Sequence, residues 1–224
     1  MNKITIAPSI LSADPLDFGS AVDMIENSGA DWIHVDVMDG HFVPNLSFGL
    51  PFIKALKGRT SLPLDVHIMI SNPDERAAAY LEAGADYLTF HVEAAKDPRN
   101  IIKLIREKGR RAGLALNPAT HFQTIAPYCE SVDLLLFMSV NPGYSGQEFM
   151  PVVFEKLEEF KAWSHGKELD HLFVAVDGGV SVKNIGKLTG RGANSFVSGS
   201  FFFKARDKRK IVDELRLAAV EESE

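Results

Sequence analysis

Two kinds of hydrophobic pattern alternate along the chain. Short apolar runs rich in β-branched residues and Leu lie at 4–7, 32–37, 64–69, 87–90, 112–116, 134–139, 173–176 and 196–198. They are too short for buried helices and read as strands covered on both faces. Between them, apolar residues recur with helical spacing at 17–28, 49–56, 74–83, 99–108, 120–126, 151–164, 182–188 and 208–219. Strand alternating with helix predicts parallel βαβ units. Strand starts fall about 20–40 residues apart, the spacing that one crossover helix requires.

Eight strands and eight helices in 224 residues predict a (β/α)8 barrel, α/β class, at the small end of that architecture's range. An open doubly wound sheet is the structural alternative. It usually has fewer strands and a GxGxxG first turn, whereas the first βα turn here is Ser9-Ile10-Leu11-Ser12-Ala13-Asp14. Gly29-Ala30-Asp31, Gly84-Ala85-Asp86 and Gly192-Ala193-Asn194 each end a helix and lead into a strand, with Gly as the left-handed stop. No linker, low-complexity tract or charge block divides the chain, so residues 1–224 are expected to form one barrel domain with a short acidic C-terminal tail from about residue 219, of which Glu221-Glu222-Ser223-Glu224 is expected to fray.

Composition narrows the function classes. The chain is 46% hydrophobic and 24% charged, which excludes a disordered or collagen-like chain. A net charge of −6 argues against nucleic acid or an anionic membrane as partner. The single cysteine, Cys129, cannot form an internal disulfide. The N-terminus has no sustained apolar run, and no window reaches membrane-spanning length. The expectation is a cytoplasmic protein.

In such barrels the chemistry lies at the C-terminal strand ends. Those ends carry Ser9; His34, Asp36 and Met38; Asp65, His67 and Met69; His91 and Glu93; Asn117; Met138, Ser139 and Asn141; Asp177; and Ser198 and Ser200. Residues two apart on a strand share a face, so His34 and Asp36 point one way, as do Asp65, His67 and Met69. Charges enclosed by a barrel need a partner, and a metal is the strongest one. His34, Asp36, His67 and Asp177 make an N2O2 set for one divalent transition metal, with Asp65 one rung deeper as a supporting partner. His91 and Glu93 are reserve candidates. His41, His121, His165 and His171 fall in loops or helices and are left out of the site.

Glycines mark the other half of the site. Asn141-Pro142-Gly143-Tyr144-Ser145-Gly146-Gln147, Asp177-Gly178-Gly179-Val180 and Ser198-Gly199-Ser200 follow the last three strands. Glycine lets backbone N–H groups approach an anion, and loops after strands 7 and 8 are the usual phosphate grip of these barrels.

These residues carry a resemblance. Ala7-Pro8-Ser9-Ile10-Leu11-Ser12-Ala13-Asp14, His34-Val35-Asp36-Val37-Met38-Asp39-Gly40-His41-Phe42-Val43-Pro44-Asn45, Asp65-Val66-His67-Ile68-Met69, Met138-Ser139-Val140-Asn141-Pro142-Gly143 and Val176-Asp177-Gly178-Gly179 stand in this order. Along nearly its whole length the chain resembles the ribulose-phosphate 3-epimerase family. The resemblance implies a phosphate-binding TIM barrel of the pentose phosphate pathway that interconverts D-ribulose 5-phosphate and D-xylulose 5-phosphate. It implies one divalent metal, Zn, Fe, Mn or Co, on His34, Asp36, His67 and Asp177. Asp36 and Asp177 are the implied catalytic pair, exchanging a proton at C3 from opposite faces of a metal-stabilised 2,3-enediolate. Substrate contacts are implied for Ser9, His67, Gly143, Tyr144, Ser145, Gly146, Asp177, Gly178, Gly179, Gly199 and Ser200, with Met38, Met69 and Met138 beside the reacting carbons. A homo-oligomer is implied as well.

Two departures fall near the phosphate end. Ser145 stands where the family usually has glycine, so its backbone must avoid a Gly-only conformation. Phe201-Phe202-Phe203-Lys204 is bulkier than the family's usual small residues. The nearest alternative is the same chemistry on D-allulose 6-phosphate. A non-catalytic phosphosugar-binding barrel would keep the glycine loops without needing opposed Asp and His residues. Triosephosphate isomerase would need a Lys, His and Glu set that these strand ends lack. The Asp-x-Lys-x-x-Asp strand of a decarboxylase of the orotidine-phosphate type is also missing, since Met38 stands where its Lys would be.

Overall fold

A computed structural model describes residues 4–221. The first three residues and the acidic end Glu222-Ser223-Glu224 lie outside the described residues. Eight strands form one parallel sheet: β1 Thr5–Pro8, β2 Ile33–Met38, β3 Leu64–Met69, β4 Tyr87–His91, β5 Arg111–Leu116, β6 Leu134–Met138, β7 Phe173–Asp177 and β8 Ser195–Ser198. Their order is β1-β8-β7-β6-β5-β4-β3-β2. A parallel bridge from Ser9 to His34 and a 2.9 Å bond from the Asp31 N–H to the Ile6 carbonyl bring β1 against β2 and curl the sheet into a barrel. The architecture is the (β/α)8 barrel that the alternating pattern predicts.

The helices are α1 Phe18–Asn27, α2 Leu50–Arg59, α3 Pro73–Ala83, α4 Pro98–Glu107, α5 Val152–Ser164, α6 Ile185–Thr189, α7 Ser200–Lys204 and α8 Lys208–Glu221. Their starts follow from local chemistry. Asp17 caps α1 by accepting the Ser20 N–H, and Asp97 caps α4 by accepting those of Arg99 and Asn100. Proline stands in the first turn of α2, α3 and α4, where its missing N–H costs nothing.

The structure corrects the reading at three places. The expected helix at 120–126 is two 3-10 turns, Phe122–Thr124 and Ala126–Ser131. Pro127 lacks the N–H an α-helix would need there, and its ring would collide with the preceding turn. The segment after β8 forms α7, a short helix that strand-to-helix counting passes over. The last helix, expected over 208–219, continues to Glu221. Among the described residues no helix is long and apolar enough to cross a membrane.

Two cores result. Outward-facing strand residues such as Val35, Ile68, Phe90, Phe137 and Phe196 pack under the helices. Inside the barrel, Ala7, Ala115, Leu134, Leu136 and Ala175 form an apolar wall, and Trp32 packs on Tyr87 and Phe173 at the bottom, with ring centroids 4.4 and 4.8 Å apart. The wall built by β2, β3 and β4 is different. His34, Asp36, Asp65, His67, Thr89 and His91 are all buried there. Buried charge on this scale has to be mutually paired or to serve a ligand.

Candidate active site

Register assembles the polar wall. In the β2–β3 pairing His34 sits beside Asp65, Asp36 beside His67 and Met38 beside Met69. Two adjacent parallel strands therefore place one His–Asp pair above another, each in the opposite order. Asp177 closes the group from β7, separated from β2 around the ring by β8 and β1.

The distances define a centre. His34 Nε2 lies 3.1 Å from Asp36 Oδ1 and 4.0 Å from Asp177 Oδ2. His67 Nδ1 lies 3.1 Å from the same Asp36 Oδ1. One donor atom from each of His34, Asp36, His67 and Asp177 falls within 4.8 Å of the others. Donor–metal bonds of about 2.0–2.2 Å leave neighbouring donors roughly 3–4 Å apart, so this set fits one divalent cation after a small contraction. The outer contacts fit as well. Asp65 Oδ2 takes His34 Nδ1 at 2.7 Å, which turns Nε2 toward the centre. The Ser9 hydroxyl donates to Asp36 Oδ2 at 2.5 Å, occupying that carboxylate's far oxygen.

Electrostatics separates the two aspartates. Burial, reinforced by the facing Asp36 carboxylate, pushes Asp177 up to about 7. Burial also disfavours charge on Asp36, but His34 and His67 outweigh it and hold its carboxyl well below the usual carboxylate range. Burial disfavours the His34 imidazolium, yet the flanking Asp36 and Asp65 carboxylates carry it well above the usual imidazole range. Burial brings His67 down to about 4, although the Asp36 carboxylate beside it favours the charged ring. Environment thus makes Asp36 a carboxylate and leaves Asp177 able to hold a proton near neutrality, the division an acid–base pair needs.

A stability signature follows. Asp177 titrates higher folded than its ordinary 3.8, so its contribution is complete below about 4 and is lost as pH rises through about 7. Asparagine imitates the protonated form. In chelator-treated protein, Asp177→Asn should melt at nearly the wild-type temperature at pH 4.5 and above it at pH 8. Parallel melting curves across that range would contradict the assignment.

Above these groups opens a cavity of about 540 Å³. Asp36 and Asp177 lie on its floor, and Met38, Met69 and Met138 line it. Its far side carries Gly143, Tyr144, Ser145, Gly146, Gly178, Gly179, Gly199 and Ser200, so the three glycine loops meet at one end. Ser9 reaches the wall, whereas His34 and His67 are completely buried beneath it. The Ser12 hydroxyl is buried beside Gly199 with no partner among the described residues. Ser145 keeps a negative φ, because Gly143 and Gly146 take the left-handed positions of their loop at φ 128° and 76°. Of the bulky segment, Phe201 lines the cavity while Phe202 is buried in the outer core.

Sequence reasoning gave no role to the residues that shape the β2–α2 loop. Asp39 accepts the N–H groups of His41 and Phe42 at 2.8 and 2.9 Å and both the N–H and hydroxyl of Ser71 at 2.8 Å. Burial opposes its charge, but these bonds bring it down to about 2. Asn45 donates to the Gly143 carbonyl at 3.0 Å and ties this loop to the β6 loop. Both lie in a motif that carries the family resemblance; only the fold shows what they hold.

A (β/α)8 barrel with a buried His2Asp2 group under a glycine-lined cavity is an architecture that can carry acid–base or metal-assisted chemistry. The model of the ribulose-phosphate 3 epimerase family matches residues 5–203. A ribulose-phosphate 3-epimerase of Bacillus subtilis (strain 168) is 44% identical over 213 residues, 95% of this chain and 98% of that protein. One from Escherichia coli (strain K12) is 41% identical over 217 residues, 96% of each chain. The chain belongs to the ribulose-phosphate 3-epimerase family and is an isomerase of the epimerase class. Among solved structures, a mutant tryptophan synthase α-subunit from Pyrococcus furiosus superposes with a TM-score of 0.68 at 18% identity, covering 100% of this chain and 99% of that one. A 3-hexulose-6-phosphate synthase gives 0.63 at 17%, covering 96% and 99%. Both share the fold.

Proposed function

We propose that this enzyme inverts C3 of a ketose phosphate, converting D-ribulose 5-phosphate to D-xylulose 5-phosphate and back. The observation that carries the reading is the pair Asp36 and Asp177, which approach one point of the cavity floor from strands well apart around the ring. Inversion removes a proton from one face of C3 and returns one to the other, so it needs two acid–base groups flanking a planar enediolate. Asp36 accepts the proton in one direction while protonated Asp177 donates from the opposite side; the roles exchange in reverse. The Ser9 hydroxyl holds the Asp36 carboxylate in place, and His67 Nδ1 stands 3.1 Å from its other oxygen. His34, Asp36, His67 and Asp177 would hold one divalent cation. When bound, it supplies Lewis-acid stabilisation of the negative charge that develops on the substrate's C2 and C3 oxygens. The donor set of two imidazoles and two carboxylates suits Zn, Fe, Mn or Co alike.

The phosphate is read by the loops after β6, β7 and β8. Among the described residues no acceptor takes the backbone N–H of Gly179 or Ser200, and both border the cavity. An acidic protein can hold a phosphate dianion this way because the grip is local dipoles. Gly179 has φ 62°, and a Cβ there would stand 2.9 Å from the Phe149 backbone nitrogen. Gly179→Ala should raise KM about tenfold, roughly one charge-assisted hydrogen bond, with unchanged divalent-metal content. Steady-state kinetics with metal analysis reads both.

Turnover of D-ribulose 5-phosphate against D-allulose 6-phosphate tests the substrate assignment. The reading expects kcat/KM to favour the pentose phosphate. A preference for the hexose phosphate would reassign the substrate and leave the chemistry in place.

A further inference from the structure

His67 presents its Nδ1 to the centre, the reverse of His34, and the reason lies behind it. His67 Nε2 lies 2.8 Å from His91 Nε2, and His91 Nδ1 lies 3.2 Å from Glu93 Oε2. With the nitrogens that close and the ring centroids 4.9 Å apart, the two imidazoles meet edge to edge. His91 is completely buried and packs on the Phe42 ring with centroids 4.8 Å apart. Glu93 is fixed from its other side. Its Oε1 accepts the Asn117 N–H at 2.7 Å and the Thr120 hydroxyl. The Lys156 ammonium in turn clamps that loop through the Asn117 and Thr120 carbonyls.

We propose that Glu93 and His91 form a positioning relay that fixes the His67 tautomer so that Nδ1 is free to bind the metal. The inference rests on the metal-centre reading above. The logic is one of donors and acceptors. A carboxylate only accepts, so His91 carries its proton on Nδ1. The neutral ring then has a lone pair on Nε2, which accepts from His67 Nε2–H. His67 is left with its lone pair on Nδ1, facing Asp36 and the centre. Asp65 does the same for His34 in a single step; His67 needs two because β4 stands between it and the anchoring loop. Glu93 and His91 touch no substrate and act through His67.

Glu93→Gln inverts the logic with little change of shape. The amide oxygen can keep the Asn117 and Thr120 bonds, and its NH2 then faces His91 Nδ1 as a donor. That drives the His91 proton onto Nε2, against the one on His67. The experiment reads Zn²⁺ affinity by chelator competition, the melting temperature of the metal-free protein, and imidazole tautomers by long-range ¹H–¹⁵N correlation in the Zn²⁺-loaded wild type. The wild type is expected to show His67 protonated on Nε2 and His91 on Nδ1. Glu93→Gln and His91→Gln are each expected to weaken Zn²⁺ about 10- to 100-fold, and Glu93→Gln to leave the metal-free melting temperature close to wild type. Equal Zn²⁺ affinity in both folded variants, or His67 carrying its proton on Nδ1, would overturn the relay alone. Failure of the wild type to bind Zn²⁺ would overturn the metal centre itself and the relay with it.

Discussion

Replacing Asp36 or Asp177 with asparagine is expected to lower kcat by about 10²–10⁴-fold, the range of one acid–base group acting in the transition state. The two changes should look alike in turnover and different elsewhere. Asp36 is shared by His34, His67 and Ser9, so Asp36→Asn breaks the heart of a buried network. It should lose metal affinity and stability together. Asp177 contacts the group only at its edge, with 4.0 Å to His34 Nε2. Asp177→Asn should stay folded and lose turnover above all. Kinetics paired with metal content and melting temperature separates these effects. Near-wild-type turnover in a metal-loaded Asp177→Asn preparation would sink the two-base scheme.

Metal removal is expected to have the second large effect. Two imidazoles and the Asp36 carboxylate at this spacing bind a divalent cation tightly only when deprotonated. A chelator should abolish turnover, and Zn, Mn, Co or anaerobic Fe(II) should restore it in proportion to site occupancy. Metal entry displaces a proton from His34, which the Asp36 and Asp65 carboxylates carry well above the usual imidazole range against burial. Affinity should therefore fall as pH drops from 8 to 6, with protons released on binding. Isothermal titration calorimetry in buffers of different ionisation enthalpy counts them. Full activity after complete stripping would contradict the role given to the centre.

Much of this was legible in the sequence because a barrel strand displays its chemistry at spacing two. His34 with Asp36, and Asp65 with His67, had to share a face, and the barrel had to point that face inward. All eight strands fall where the apolar runs place them, to within about a residue. Helices were less legible where length or proline intervened. The five-residue α7 is too short to show a period, and Pro127 turned an amphipathic segment into 3-10 turns. Within the candidate site, residue types were visible but register was not. Only the β2–β3 pairing places Asp36 beside His67. Only the loop after β5, held by Lys156, explains why Glu93 stands behind His91. Long-range anchors such as Asn45 on Gly143 leave no periodic trace.

The account's central claim is proton exchange at C3, and the direct measurement is proton NMR of D-ribulose 5-phosphate in D₂O with metal-loaded protein. The account predicts loss of the C3 proton signal together with the appearance of D-xylulose 5-phosphate deuterated at C3. Formation of the epimer with its C3 proton fully retained, or no exchange at all by the metal-loaded protein, would contradict it.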